Sequence, residues 1–138
     1  MRWNVRRVFW RWGKRLAAVL VVDDDADVLE ALAAALTAMG HAVESAPSGL
    51  AALGVLDKVR DIDLLLTDVV MPGLHGFNLA RMAVIRKPDL RVLYFTGNAE
   101  IDLVKKDSGP KYGKILHKPL SPDDLRREVA AALEISRP

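Results

Sequence analysis

Between Ala17 and Ile135 the chain alternates short strand-like runs with stretches of helix formers, and this alternation constrains the fold most. Ala17–Val22 is rich in Val and Leu and stops at Asp23-Asp24-Asp25, so it reads as a buried strand. Asp25 or Asp27 can cap the next helix, because a short acidic side chain accepts from free N–H groups at a helix start. Val28–Met39, VLEALAAALTAM, is that helix, and Gly40 ends it. His41–Ala46 alternates weakly and reads as a second strand. Ser48 opens a second helix, which runs to Val59. Ile62–Thr67 is a third strand, apolar almost throughout. Pro72, Gly73 and Gly76 mark a loop, and Phe77–Arg86 is helical up to Lys87-Pro88. Arg91–Phe95 is a fourth strand. A short helix is expected around Ala99–Lys106, broken by Ser108-Gly109-Pro110. Lys114–His117 is a fifth strand, closed by Pro119. Pro122–Ile135 forms the last helix, with Ser121 as its N-cap.

Strand–helix alternation of this kind means an α/β fold, a parallel sheet with helices on both faces. The apolar strands agree, since parallel strands are buried on both sides. A chain of 138 residues holds one such core and no second large module. Absence of cysteine excludes disulfides, thiolate metal sites and thiol nucleophiles. His41, His75 and His117 show no metal-ligand spacing. No apolar stretch approaches the length needed to span a bilayer.

In an open parallel sheet, sites form beyond the C-terminal ends of the strands. The residues that fall there are Asp23, Asp24 and Asp25 after the first strand, and Asp68 after the third. Thr96, with Gly97, follows the fourth. Lys118, with Pro119, closes the fifth. Carboxylates gathered at one edge repel each other and need a cation. Oxygen ligands without His or Cys suit Mg²⁺, which also binds phosphate oxygens. A lysine ammonium suits one phosphoryl oxygen, and a threonine hydroxyl can donate to another. Together these are parts for phosphoryl transfer: a carboxylate nucleophile, a metal, and donors for developing charge.

Four segments carry a family resemblance: VLVVDDDADV, LLLTDVVMPGLHG, VLYFTG and ILHKPL. In this order they resemble the signatures of response-regulator receiver domains of two-component signalling. The spacing is 44 residues from Asp24 to Asp68, 28 from Asp68 to Thr96 and 22 from Thr96 to Lys118. The resemblance covers roughly Leu16 to Ile135. It implies the doubly wound, flavodoxin-like fold with five strands in order 2-1-3-4-5. It implies that Asp68 accepts a phosphoryl group from a phosphohistidine on a sensor histidine kinase or a histidine phosphotransfer protein. It further implies that Asp23, Asp24, Asp68 and the main-chain carbonyl of Val70 bind Mg²⁺, and that Thr96 and Lys118 contact the phosphoryl group. Such a domain is a cytoplasmic signalling switch rather than a turnover enzyme, although it assists its own phosphorylation and dephosphorylation.

Two positions depart from the family. Many receivers carry Tyr or Phe three residues before the strand-five lysine, where this chain has Ile115; Tyr112 is out of register by three. The aromatic that swings inward when the threonine engages phosphate is therefore missing. Val70 and Asn98 stand where family members flank the path of the hydrolytic water. An apolar Val70 cannot orient that water, so a long-lived phosphorylated form is expected.

Plainer readings exist for each residue. Asp68 could be a turn aspartate, Thr96 a strand-end threonine and Lys118 a surface lysine, but the four ordered motifs weigh against this. Asp25 reads as a cap. His75 and His117 read as exposed side chains rather than relay histidines, since histidine phosphotransfer modules are helical. A pseudo-receiver that binds partners without phosphorylation is the alternative function. A phosphatase using an aspartate nucleophile needs an acid where Val70 stands, and Val70 cannot transfer protons. An FMN binder is disfavoured by the acidic loop after the first strand.

Residues 1–16, MRWNVRRVFWRWGKRL, form a distinct extension ahead of a domain expected over 17–136. They hold six of the 20 basic residues, none of the 18 acidic ones and all three tryptophans, so the rest of the chain is net acidic by four. The pI of about 9.0 therefore belongs to this segment, not to a nucleic-acid-binding domain. Val5, Val8, Phe9, Trp12 and Leu16 fall at helical spacing, as in a basic amphipathic helix at a membrane surface or a docking helix. The arginine pair in RRVFW resembles a twin-arginine export signal, but the apolar run behind it is too short and ends in three aspartates. A disordered extension, or residues upstream of the true start, is the preferred reading. Only Ser136, Arg137 and Pro138 come after Ile135, so no DNA-binding module is expected in this chain, and output is expected through contact with a downstream protein target, phosphate shuttling or a phosphate sink.

Overall fold

A computed structural model describes residues 9–11, 14–97 and 112–134, with side chains over 16–97 and 112–134. The helix expected over Ala99–Lys106 lies outside the described residues, as does Asn98. The main sheet comprises β1 (Ala18–Val22), β2 (Ala42–Ala46), β3 (Leu64–Asp68), β4 (Arg91–Thr96) and β5 (Gly113–His117). The helices among the described residues are α1 (Ala26–Ala38), α2 (Gly49–Lys58), α3 (Gly76–Arg86) and α4 (Pro122–Glu134). All neighbouring strands are parallel and the order is 2-1-3-4-5. The fold is thus the doubly wound α/β sheet that the alternation and the four motifs led us to expect.

Alternation along each strand sends successive side chains to opposite faces. Leu20, Val22, Leu65 and Tyr94 join Leu53, Leu56, Leu79 and Ala83 under α2 and α3. Val19, Val21, Leu66 and Phe95 join Leu36, Leu125, Val129 and Leu133 under α1 and α4. The central strand β3 is buried at every position, which explains why LLLT carries no polar alternation. Full burial of each such leucine contributes about 1.5–3 kcal/mol.

Helix starts obey the sequence signals. Asp25 caps α1, its Oδ1 accepting from the N–H groups of Asp27 and Val28 at 3.0 and 3.3 Å. Gly40, at φ +97°, ends the turn behind α1 in a conformation glycine adopts without strain. Ser48 Oγ accepts from the Ala51 N–H at 3.1 Å, and Ser121 Oγ from the Asp124 N–H at 3.0 Å. The helix α3 differs: its N-cap is His75, with no side-chain capping bond.

Phe9–Arg11 and Lys14–Leu16 form an antiparallel ribbon, with Phe9 opposite Leu16 and Arg11 opposite Lys14. For Phe9 and Leu16 this corrects both the helical reading and the preferred reading of a disordered extension, while Val5, Val8 and Trp12 lie outside the described residues. Aromatic residues such as Phe9 and Trp10 suit strands.

Candidate functional site

The register brings the acids together. β1 and β3 run side by side with Val22 opposite Thr67, so Asp23 and Asp68 come next at the same edge. β4 ends on Thr96, opposite His117, and Lys118 is the next residue. Asp23, Asp24 and Asp68 each offer a carboxylate oxygen, and these atoms lie within 4.8 Å of one another. Asp23 and Asp68 are 1% and 3% exposed, while Asp24 is open to solvent. Thr96 is fully buried at the end of β4.

Lys118 links the cluster. Its Nζ lies 3.3 Å from Asp23 Oδ2 and 3.4 Å from Asp68 Oδ2. Its main-chain N–H donates to the Thr96 carbonyl at 2.8 Å, which ties the lysine to β4. Burial pulls the Lys118 ammonium down, but the Asp68 and Asp23 carboxylates outweigh it and hold its pKa above the ordinary lysine value. The Phe95 ring lies under the ammonium, 4.9 Å from Nζ to the ring centroid.

Main-chain donors hold the other carboxylate oxygen of Asp68 and of Asp23. The Val69 N–H donates to Asp68 Oδ1 at 2.8 Å, and the Asp25 N–H to Asp23 Oδ1 at 2.9 Å. The loop after β3 folds back tightly, with the Gly76 N–H donating to the Val69 carbonyl at 2.7 Å. A Cβ on Gly76 would sit 2.2 Å from the Asp68 carbonyl oxygen, so only glycine fits there.

Among the described residues, three carboxylates face one ammonium, a formal excess of two negative charges. The donors are all oxygen, and two are nearly shut off from water. Such a set fits a hard divalent cation such as Mg²⁺, which would offset charge that one lysine cannot. Asp25 stands apart as the α1 cap, as the sequence suggested.

Ile115 is half-buried and stands opposite Tyr94 in the β4–β5 register. Tyr94 is fully buried and packs edge-on against Phe77, with centroids 4.9 Å apart. Burial, with Tyr112 nearby, pushes the Tyr94 phenol above the ordinary tyrosine range. Tyr112 is 43% exposed and takes φ +78° just before β5. The interior aromatic beside position 115 thus comes from β4, which the sequence reading missed. Period-two alternation puts Tyr94 on the Thr96 face, but only register shows that it abuts Ile115.

His75 is half-buried rather than exposed, because it starts α3; its Nε2 lies 3.1 Å from Asn78 Nδ2. His117 is exposed, as expected. The sequence reading also passed over Asp63, which is 2% exposed at the start of β3. Its Oδ2 accepts from the Ala18 N–H at 3.0 Å, capping the opposite edge of the sheet.

A doubly wound 2-1-3-4-5 sheet carrying this acid–Asp–Thr–Lys edge defines the receiver class of α/β proteins. The description "response regulator receiver domain" matches residues 19–130. Over 115 residues the chain is 36% identical to the response regulator receiver protein CpdR of Brucella abortus, spanning 83% of this chain and 95% of that protein. It is 32% identical over 120 residues to the sensor kinase CckA of the same organism, spanning 86% of this chain and only 13% of the kinase. A receiver domain protein of Clostridium thermocellum has a similar structure, with TM-score 0.74, 28% identity, and coverage of 85% of this chain and 94% of that one. The chemotaxis protein CheY4 of Vibrio cholerae gives TM-score 0.71 and 26% identity over 86% of this chain and 99% of its own. The chain belongs to the response-regulator receiver family.

Proposed function

We propose that this chain is a phosphoacceptor switch of a two-component phosphorelay, phosphorylated on Asp68. The observation that carries the reading is the Lys118 ammonium set between two buried carboxylates, within a cluster of three. A carboxylate oxygen of Asp68 attacks the phosphorus of a phosphohistidine on a sensor histidine kinase or histidine phosphotransfer protein. The P–O bond forms as the P–N bond breaks, and the leaving imidazole keeps the electron pair and takes a proton. The Val69 N–H holds Asp68 Oδ1 and so orients the other oxygen. Lys118 moves its charge from the Asp68 carboxylate to a phosphoryl oxygen, and the Thr96 hydroxyl donates to another. Asp23, Asp24, Asp68 and the Val70 carbonyl would hold Mg²⁺, which when bound supplies Lewis-acid neutralisation of the charge on phosphate.

Output runs through contact with a downstream protein, by a two-state shift in the loops around Asp68. With Ile115 at the switch position, the shift proceeds without an inward-swinging aromatic on β5. Val70, apolar and 36% exposed, leaves the hydrolytic water unaided, so the aspartyl phosphate is long-lived. No helix among the described residues is long and apolar enough to cross a membrane, and the reading places the switch in the cytoplasm with its kinase partner.

Incubation with acetyl phosphate and Mg²⁺ tests the reading by mass spectrometry. A gain of one phosphoryl group that Asp68→Asn abolishes is the expected result. No gain, with partner binding intact, makes the chain a pseudo-receiver instead. Phosphotransfer profiling against the kinases of the source organism then identifies the donor.

A further inference from the structure

We propose that Phe95 is a positioning residue for Lys118: its ring face holds the ammonium toward Asp68 and Asp23 and thereby speeds phosphoryl uptake. The proposal rests on the phosphoacceptor reading of Asp68. Lys118 reaches the site on a long stem whose rotamer freedom must be restricted before the charge can act. Three contacts restrict it. The main chain is pinned to the Thr96 carbonyl. The two carboxylates attract Nζ from one side, at 3.3 and 3.4 Å. The Phe95 ring supports it from another, at 4.9 Å from its centroid.

The ring itself cannot move out of the way. Phe95 is fully buried, in one core cluster with Leu66, Leu93 and Leu116. Its neighbour Thr96 belongs to the opposite face of the strand by alternation. The two residues thus serve the site from the two sides of β4. Leucine at this position would fill most of the same space, but it has no negative ring face for a cation. The Lys118 side chain is 26% exposed, so it is only partly desolvated. A cation–π contact in that state corresponds to about a three- to tenfold effect on a rate that depends on the ammonium's position.

Incorporation of 3,4,5-trifluorophenylalanine at residue 95 tests this, since fluorination withdraws the negative face while keeping shape and apolarity. The initial rate of phosphorylation by acetyl phosphate with Mg²⁺ is followed by mass spectrometry. The ε-methylene protons of Lys118 are followed by NMR without phosphodonor. The expected result is a rate about three- to tenfold lower with an unchanged melting temperature. In the unsubstituted protein the Lys118 ε-methylene signals should be shifted upfield by the ring. Phe95→Leu should abolish that shift and slow phosphorylation at least as much. An unchanged rate in the fluorinated protein overturns the proposal. If the unsubstituted protein takes up no phosphoryl group, the reading of Asp68 fails, and the NMR signals then judge Phe95 alone. Upfield ε-methylene signals support its placement of Lys118, and signals at random-coil positions overturn it.

Discussion

Lys118→Met removes one charge and keeps an unbranched chain of similar length over Phe95. In the wild-type protein the ammonium lies 3.3 Å from Asp23 and 3.4 Å from Asp68. Its loss leaves two buried carboxylates facing each other without the Lys118 ammonium between them. Removing one partner of a buried ion pair costs about 3–5 kcal/mol. The Lys118 side chain is 26% exposed, and discounting for that solvent screening gives about 2–3 kcal/mol here. For a chain of this length the melting temperature should fall by about 6–12 °C in EDTA at neutral pH. The pH dependence has a definite sign. The folded-state pKa of Lys118 lies above the ordinary 10.5. A group raised on folding stabilises fully below its unfolded pKa, and the contribution is lost as pH rises through the folded one. The gap between wild type and variant is therefore complete near neutrality and closes above about pH 10.5. Mg²⁺ should narrow it too, because the cation neutralises the same carboxylates; it should raise the melting temperature of Lys118→Met more than that of wild type. Thermal melts followed by circular dichroism, with EDTA or Mg²⁺, read all three effects. Equal melting in EDTA would refute the bridging argument, and equal Mg²⁺ shifts would refute the shared-charge argument.

Local geometry leads to three further outcomes. His75→Asp gives α3 the missing capping acceptor and should stabilise the fold by about 1 kcal/mol in urea titrations; no gain would refute the capping argument. Gly76→Ala drives a methyl group into the Asp68 carbonyl, 2.2 Å away. It should cost about 3 kcal/mol and weaken Mg²⁺ binding by displacing Asp68, so wild-type behaviour in both measurements contradicts the close approach. Burial holds the His41 pKa below 6.5 while its Nδ1 accepts from the Ala17 N–H at 3.1 Å. The neutral ring therefore stabilises fully above pH 6.5, and stability falls on acidification below it. An NMR titration of the ring that shows an ordinary or raised pKa would contradict this.

The fold was legible because its signals are local. LLLTD announces a strand buried on both faces, and Asp25, Ser48 and Ser121 announce helix starts that the structure bears out. The site was legible for a related reason: in a parallel sheet every strand end lies on one edge, so chain order alone brings Asp23, Asp24, Asp68, Thr96 and Lys118 together. The ribbon over Phe9–Arg11 and Lys14–Leu16 was missed: the preferred reading there was a disordered extension, with a helix as the other. Hydrophobic spacing in 16 residues does not separate a helix from a hairpin when no partner surface is known.

The sequence by itself determined the alternation, the caps, the acidic edge and the departure at Ile115. Each of these depends on residue type and spacing along one chain. Tertiary structure alone decided that Phe95 lies under Lys118, that Tyr94 fills the interior beside Ile115, and that Gly76 lies against the Asp68 carbonyl. Those contacts depend on strand register and on how a loop closes over a strand end. Both are set by packing the two faces of the whole sheet, which no single segment encodes.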